Sequence, residues 1–256
     1  MNSKANVPLF SETKRFVSGS EGILTMRIKI YQIDPQKDKN HLKYRSYPTT
    51  SQYGTIDPSI YKCVYHGEID ADSLDDVFVL FNTETPHRTY QGHSLSVSDV
   101  IEMVGEPSTY HFCDSFGWKN IDFDTTQCAE MDGIRVLMIE PGKVPVETRI
   151  IDDYRMWQKA VSDHGEPALM EVTHPFDDSV CVIGNEEAKL IGMQGNRRIG
   201  HSVYAGSIFL VNEDGHGDFC DMTDEQIEKY AEIFGHPQEI SEDEVQADCG
   251  YFIISW

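Results

Sequence analysis

The sequence has no apolar run of about 18 residues, the length a membrane-spanning helix needs, and no basic stretch followed by an apolar one near its start. Neither a membrane anchor nor a secretory signal is expected, and the expected location is the cytoplasm. It also lacks any C-x-x-C pair: the six cysteines, at 63, 113, 128, 181, 220 and 249, are scattered. That spacing fits reduced thiols better than a disulfide framework or a zinc site. Positive charge is the third shortage, with 21 lysines and arginines against 43 acids and a net charge of −22. Such a field repels nucleic acid and anionic membranes and favours basic protein surfaces, so the expected partner is a protein with a basic face and direct nucleic-acid binding is not expected. The plain alternative is that the acids only keep the protein soluble.

What the sequence does have is enough apolar material, 39% of 256 residues, for real cores in one large domain or two ordinary ones. The charge is unevenly placed. Residues 1–126 carry net −5, residues 127–256 carry net −17, and residues 213–248 hold 13 acids against Lys229 alone.

Residues 1–23 read as a flexible leader, rich in polar and small residues up to Gly22. Met26, Ile28 and Ile30 alternate with Arg27, Lys29 and Tyr31, a strand pattern, and a second strand is expected from Tyr61 to Tyr65 with mainly loop between them. Ser73 sits where an N-cap belongs, before Leu74, Val77, Phe78 and Phe81 at helical spacing. The run Gly92-His93-Ser94-Leu95-Ser96-Val97-Ser98-Asp99-Val100-Ile101 alternates hydroxyls with apolar residues and reads as a turn feeding a strand; the rival reading makes Ser96 or Ser98 the cap of a helix through Met103. Two or three strands are expected in this central stretch, which ends near Phe123.

Phe81-Asn82, Pro86, the Gly92-to-Val100 phrase and Asp114-Ser115-Phe116-Gly117-Trp118 together resemble the YodL-like domain over about residues 26–124. The resemblance implies a setting in proteins of bacterial mobile elements and implies no particular chemistry.

Residues 125–132 read as a linker. Beyond it, Ile134, Val136 and Met138 alternate as a strand; Tyr154, Trp157, Gln158 and Val161 suggest a helix face; and residues 168–172, 180–183 and 204–211 suggest strands. Thr223-Asp224-Glu225-Gln226 is a capping box ahead of Ile227, Tyr230, Ala231 and Phe234, with Gly235 and Pro237 as stop signals. Glu140-Pro141-Gly142, Pro175-Phe176-Asp177-Asp178, Asn185-Glu186-Glu187, Gly195-Asn196-Arg197 and this helix resemble domain of unknown function 3846 over about residues 133–238, a family of phage and conjugative-element proteins. The final residues 239–256 read as an acidic segment and a C-terminal strand. The fold class expected is α+β: two small mixed domains, 24–124 and 133–238, each a mainly antiparallel sheet with one or two packed helices.

Three groups could carry chemistry. His93, Ser94 and Asp114 have the residue types of a catalytic triad, but neighbours on a strand point to opposite faces, and a hydrogen-bonded turn explains them as well. Asp214-Gly215-His216-Gly217-Asp218-Phe219-Cys220-Asp221 offers metal ligands at two-residue spacing, yet it also looks like an acidic loop. Asn185, Glu186, Asn196 and Arg197 are the small-ligand candidates, because an arginine beside Gly192 and Gly195 can clamp a phosphate or carboxylate. Its usual alternative is an ion pair with a neighbouring carboxylate. No catalytic residue, metal or cofactor is expected. The acids Asp221, Asp224, Glu225, Glu228, Glu232, Glu242, Asp243 and Glu244 form the expected partner face. The functional expectation is an accessory protein that binds and inhibits a host defence protein, in one version as an acidic DNA mimic. The alternative is a protein that binds or acts on a nucleotide-like anion.

Overall fold

The computed structural model describes residues 25–83, 87–162 and 168–249. The expected leader and C-terminal strand 251–256 lie outside these residues.

The first half is a five-stranded antiparallel sheet with one helix against it. Strand β1 (Thr25–Ile33) alternates as expected, with Ile28 and Ile30 on one face and Tyr31 and Ile33 on the other. A short α1 (Tyr47–Thr50) and two single 3-10 turns interrupt the long loop that leads to β2 (Tyr61–Asp70). Tyr65 of β2 opposes Ile30, while Cys63 opposes Tyr31, so Val64 is an extra residue between them. That bulge switches the parity of burial: Tyr61 and Cys63 enter one core cluster, Tyr65 and Ile69 the other.

Helix α2 (Leu74–Leu80) begins where the serine predicts, with Ser73 Oγ accepting from the Asp76 N–H at 3.2 Å and two acids in its first turn. It buries Val77, with Phe81 following, against the Ile28 and Ile30 face. Strands β3 (Val100–Met103), β4 (Thr109–Cys113) and β5 (Trp118–Ile121) complete the order β2-β1-β3-β4-β5. The strand reading of the central phrase needs correction at its start. Residues 94–98 form a turn-rich loop despite their alternation, and the strand begins at Val100; the helical alternative is overturned as well. Ser98, at φ +81°, is the residue at which the chain turns into β3.

Residues 125–132 are tied to the first sheet. Ala129 donates to the Tyr61 carbonyl and accepts from the Cys63 N–H, a parallel bridge along the outer edge of β2.

The second half is a six-stranded antiparallel sheet covered on both faces. It comprises β6 (Ile134–Ile139), β7 (Val146–Ile150), α3 (Tyr154–Ala160), β8 (Met170–Thr173), β9 (Val180–Asn185), a separate hairpin of β10 (Gly195–Ile199) and β11 (Ser202–Ala205), β12 (Ile208–Glu213), β13 (Phe219–Cys220), α4 (Asp224–Ile233) and α5 (Glu242–Ala247). The order is β7-β6-β12-β9-β8, with β13 pairing β12. The apolar run expected as one strand over 204–211 is two strands, broken at Gly206, whose φ of +69° turns the chain from hairpin to sheet. On one face Val136, Cys181, Ile183, Phe209 and Val211 meet Ala160 of α3. On the other, Leu137, Val182, Ile208 and Leu210 meet Ile227, Tyr230 and Phe234, the last residue following α4 directly. The central strands are therefore continuously apolar rather than alternating. The capping box forms as read: Thr223 Oγ1 accepts from the Gln226 N–H and the Gln226 side chain from the Thr223 N–H.

The halves meet along the edges of β2 and β7, and the contact is polar. The His66 ring donates to the Glu147 carbonyl, Glu68 accepts from the Val144 N–H, and Arg27 reaches the Pro145 carbonyl at 3.5 Å. At the end of β6, the Glu140 carboxylate gathers His87, Arg88 and Lys143 at 3.5, 3.6 and 3.4 Å. Arg88 continues to the Ser162 carbonyl and Ser207 hydroxyl. Among the described residues no helix is long and apolar enough to cross a membrane.

Candidate functional site

The residues singled out as a triad do not assemble one. His93 turns its Nδ1 to the carbonyl of its neighbour Ser94 at 2.8 Å, the Ser94 side chain is exposed, and the Asp114 carboxylate accepts from the Tyr47 and Ser115 N–H groups. The centre of the phrase is Asp99, which is fully buried. Its Oδ2 accepts from the Ser96 N–H at 2.8 Å and Gln32 Nε2 at 2.9 Å, whereas its Oδ1 has no hydrogen-bond partner among the described residues. Burial pushes this carboxyl up to about 8, and hydrogen bonds from Ser96 and Gln32 oppose only part of that rise. Gln32 also binds both main-chain groups of His93. Gly92 permits that approach, because a Cβ there would sit 2.5 Å from Gln32 Oε1. This network fastens the loop to β1.

The second candidate group is dispersed into structural roles. Arg197 is fully buried, and its guanidinium donates to the carbonyls of Asn196, Lys143 and Phe234 and to Asn196 Oδ1. Burial lowers its pKa to about 10. It forms no carboxylate pair among the described residues and instead organises main chain from three segments. Asn196 Nδ2 is bonded to the carbonyls of Ile139 and Gly206, Asn185 bonds Met193 Sδ and the Glu187 N–H, and Glu186 is exposed.

A concave site does exist at the junction of the halves, a cleft of about 450 Å³. Lys29, Tyr31, Cys63 and His66 line it from the first sheet, Thr125 and 128–131 from the connecting segment, and Arg135, Glu147, Arg149 and Asp224 from the second half. Its volume falls in the range of small-molecule sites. Most of its charge is internally paired. Arg135 holds Glu147 and Asp224 at 2.6 Å each, and Arg149 holds Asp221 at 3.3 Å and Glu130 at 3.4 Å. Lys29 makes no ion pair among the described residues. Burial, assisted by Lys29 and Arg27, drives His66 down to about 3, so its imidazole is neutral. Burial also pushes the Cys63 thiol up to about 11 and the Cys128 thiol up to about 12, which leaves both without nucleophilic character at neutral pH. Neither thiol is an activated nucleophile.

The sequence assigned none of Lys29, His66, Arg135 or Arg149 to a site. They lie on four strands of two sheets, and no local spacing links them.

The eight acids divide by their neighbours. Asp221 and Asp224 pair with the cleft arginines and Glu244 with Arg198 at 2.5 Å. Glu225, Glu228 and Glu232 form one exposed ridge of α4, opposite its buried Ile227, Tyr230 and Phe234, and Glu242 and Asp243 are exposed in the first turn of α5. Those five make no ion pair among the described residues. Lys229, beside the ridge, is engaged by Asp178 at 2.7 Å.

Within residues 214–221 the first five form a tight turn in which Asp214 Oδ1 accepts from the N–H groups of His216 and Asp218, and Phe219 and Cys220 are β13. Among the described residues, the side chains that come close enough to share a metal ion lie elsewhere, on His174, Cys181 and Glu213.

No curated protein and no solved structure matches the chain. Two family models do: residues 27–123 match the YodL-like domain, and residues 134–235 match the domain of unknown function (DUF3846). The chain is thus similar to a YodL-like domain in its first half and to a DUF3846 domain in its second, in that order.

Proposed function

We propose that this chain is a non-enzymatic binding protein that presents the acidic ridge of α4 to a basic protein surface, as a cytoplasmic accessory factor of a bacterial mobile element or phage that inhibits a host defence protein. The observation that carries this reading is the uncompensated row Glu225, Glu228 and Glu232 on a helix whose other face is fixed in the core. The setting rests on the family resemblances, and the defence partner on the charge. Spacing decides between two versions of the idea. From Glu225 to Glu232 the helix rises about 10 Å over two intervals, an axial spacing of about 5 Å between charges, whereas a DNA strand carries one per about 3.4 Å of its axis. The ridge is sparser than a phosphate backbone, which favours docking to a basic protein over mimicry of a duplex.

The test is capture of partners from bacterial lysate on the immobilised chain at low and raised salt. Retention of a protein that leaves as salt rises, and is not retained by the triple variant Glu225→Lys, Glu228→Lys, Glu232→Lys, supports the reading. Retention unaffected by the triple reversal moves the interface off α4, and no retained protein ends the proposal.

The cleft supports a second reading, a binder of a small nucleotide-like anion, on the strength of Lys29 as its unpaired cation. A thermal shift with nucleotides that disappears in Lys29→Ala would favour it.

A further inference from the structure

β8, β9 and β12 lie side by side and antiparallel, with Thr173 opposite Val182 and Cys181 opposite Val211. One residue further along the first pairing brings His174 level with Cys181, and Glu213 stands two residues beyond Val211, so all three side chains emerge on one sheet face. A nitrogen, the sulfur and a carboxylate oxygen of these residues lie within 4.8 Å of one another. We propose that His174, Cys181 and Glu213 form a binding site for a divalent cation of the zinc class.

The donor set carries the choice of metal. Imidazole, thiolate and carboxylate together suit a borderline ion such as Zn²⁺, whereas Mg²⁺ and Ca²⁺ take oxygen alone. Thiolate and carboxylate balance the ion's two charges. The Cys181 Sγ is buried and has only a long contact, 3.6 Å, to the Val211 carbonyl. A thiol ligates as its thiolate, so formation of the sulfur–metal bond releases the Cys181 proton to solvent. Three protein ligands leave a fourth position for water, and the exposure of His174, at 56%, gives the ion an entry path. Phe219, opposite Glu213 on β13 and packed on Trp157, walls the site with apolar surface. Bound metal would pin the four-residue edge strand β8 to the strands inside it.

The rival is an ordinary surface pair, since His174 Nε2 lies 2.6 Å from Glu213 Oε2. Such a pair has no use for sulfur. The full chain, stripped with chelator under reducing conditions, is titrated with Zn²⁺ by calorimetry and with Co²⁺ by absorption. The site predicts one ion per chain, release of a proton, a thiolate-to-cobalt charge-transfer band, and a higher thermal midpoint with Zn²⁺. His174→Ala and Glu213→Gln, both at the rim of the fold, are each expected to weaken binding by at least about 10-fold. Cys181→Ser should remove the charge-transfer band; because that residue is in the core, the two rim variants carry the test if it fails to fold. Binding without the band, affinity unchanged in His174→Ala, or no saturable binding would each overturn the proposal and leave only adventitious metal on surface acids.

Discussion

Glu140, the residue after β6, lies with its Oε1 3.5 Å from Nε2 of His87, which belongs to the other half of the chain. Burial pushes the Glu140 carboxyl up, but the donors and charges facing it from His87, Lys143 and Arg88 prevail and hold it at about 2, below its ordinary 4.5. A depressed carboxyl stabilises the folded state above its unfolded pKa, and that contribution is lost as pH falls from 4.5 towards 2. Glu140→Gln is expected to lower stability at pH 7 by about 3 kcal/mol, because the amide keeps an acceptor oxygen but removes the negative charge that Arg88 and Lys143 face. Urea unfolding of both proteins should show the gap narrowing below pH 4.5; an equal gap at pH 3 and pH 7 would refute it.

Asp99 has the opposite sign. Its folded pKa of about 8 lies above the ordinary 3.8, so the stability linked to its retained proton is complete below 3.8 and declines as pH rises through 8. Asp99→Asn keeps an oxygen for Ser96 and Gln32 and cannot ionise. Relative to the unmodified chain it should gain stability from pH 5 to pH 8, by at least about 1 kcal/mol at the upper end. A parallel pair of pH profiles would show that Asp99 does not titrate as its burial demands.

Two neighbouring arginines separate burial from surface charge. Arg197→Met leaves the carbonyls of Lys143 and Phe234 without a donor inside the protein and is expected to cost about 3 kcal/mol. Arg198→Ala breaks a half-exposed pair with Glu244 and should cost less than about 1 kcal/mol. The comparison is read from urea midpoints, and similar losses would contradict the assigned roles.

Gly92→Ala should destabilise by about 2 kcal/mol, since the new methyl collides with Gln32 Oε1 and the Tyr90 ring at positions their own hydrogen bonds fix. Thermal unfolding measures it; an unchanged midpoint would mean the loop moves aside freely.

Local chemistry was the legible part of this chain. Ser73 and the Thr223–Gln226 box started helices where hydrogen-bond donors need them, and strict alternation marked β1 correctly. The same alternation misled at 94–98, where Gln32 and Asp99 satisfy the main chain from outside and no partner strand is required. Gly206 hid inside an apolar run because a left-handed turn leaves no trace in hydrophobicity. Arg197 was read as a ligand residue because burial of a guanidinium depends on carbonyls of Lys143 and Phe234, far away in sequence. Helix α5, begun by Ser241 bonding the Glu244 N–H, was passed over as acidic chain. The cleft was invisible for the most general reason: its walls come from both halves.

The meeting of β2 with β7 has a consequence for self-association. Each is the outermost strand of its sheet, and such strands offer unpaired amides to any passing chain. Here Ala129 covers the start of β2, and the His66 and Glu68 side chains take up the main chain at Glu147 and Val144. Each half therefore acts as the other's guard against aggregation. Separated by proteolysis in the connecting segment, both would bare an adhesive border that the intact chain keeps shut.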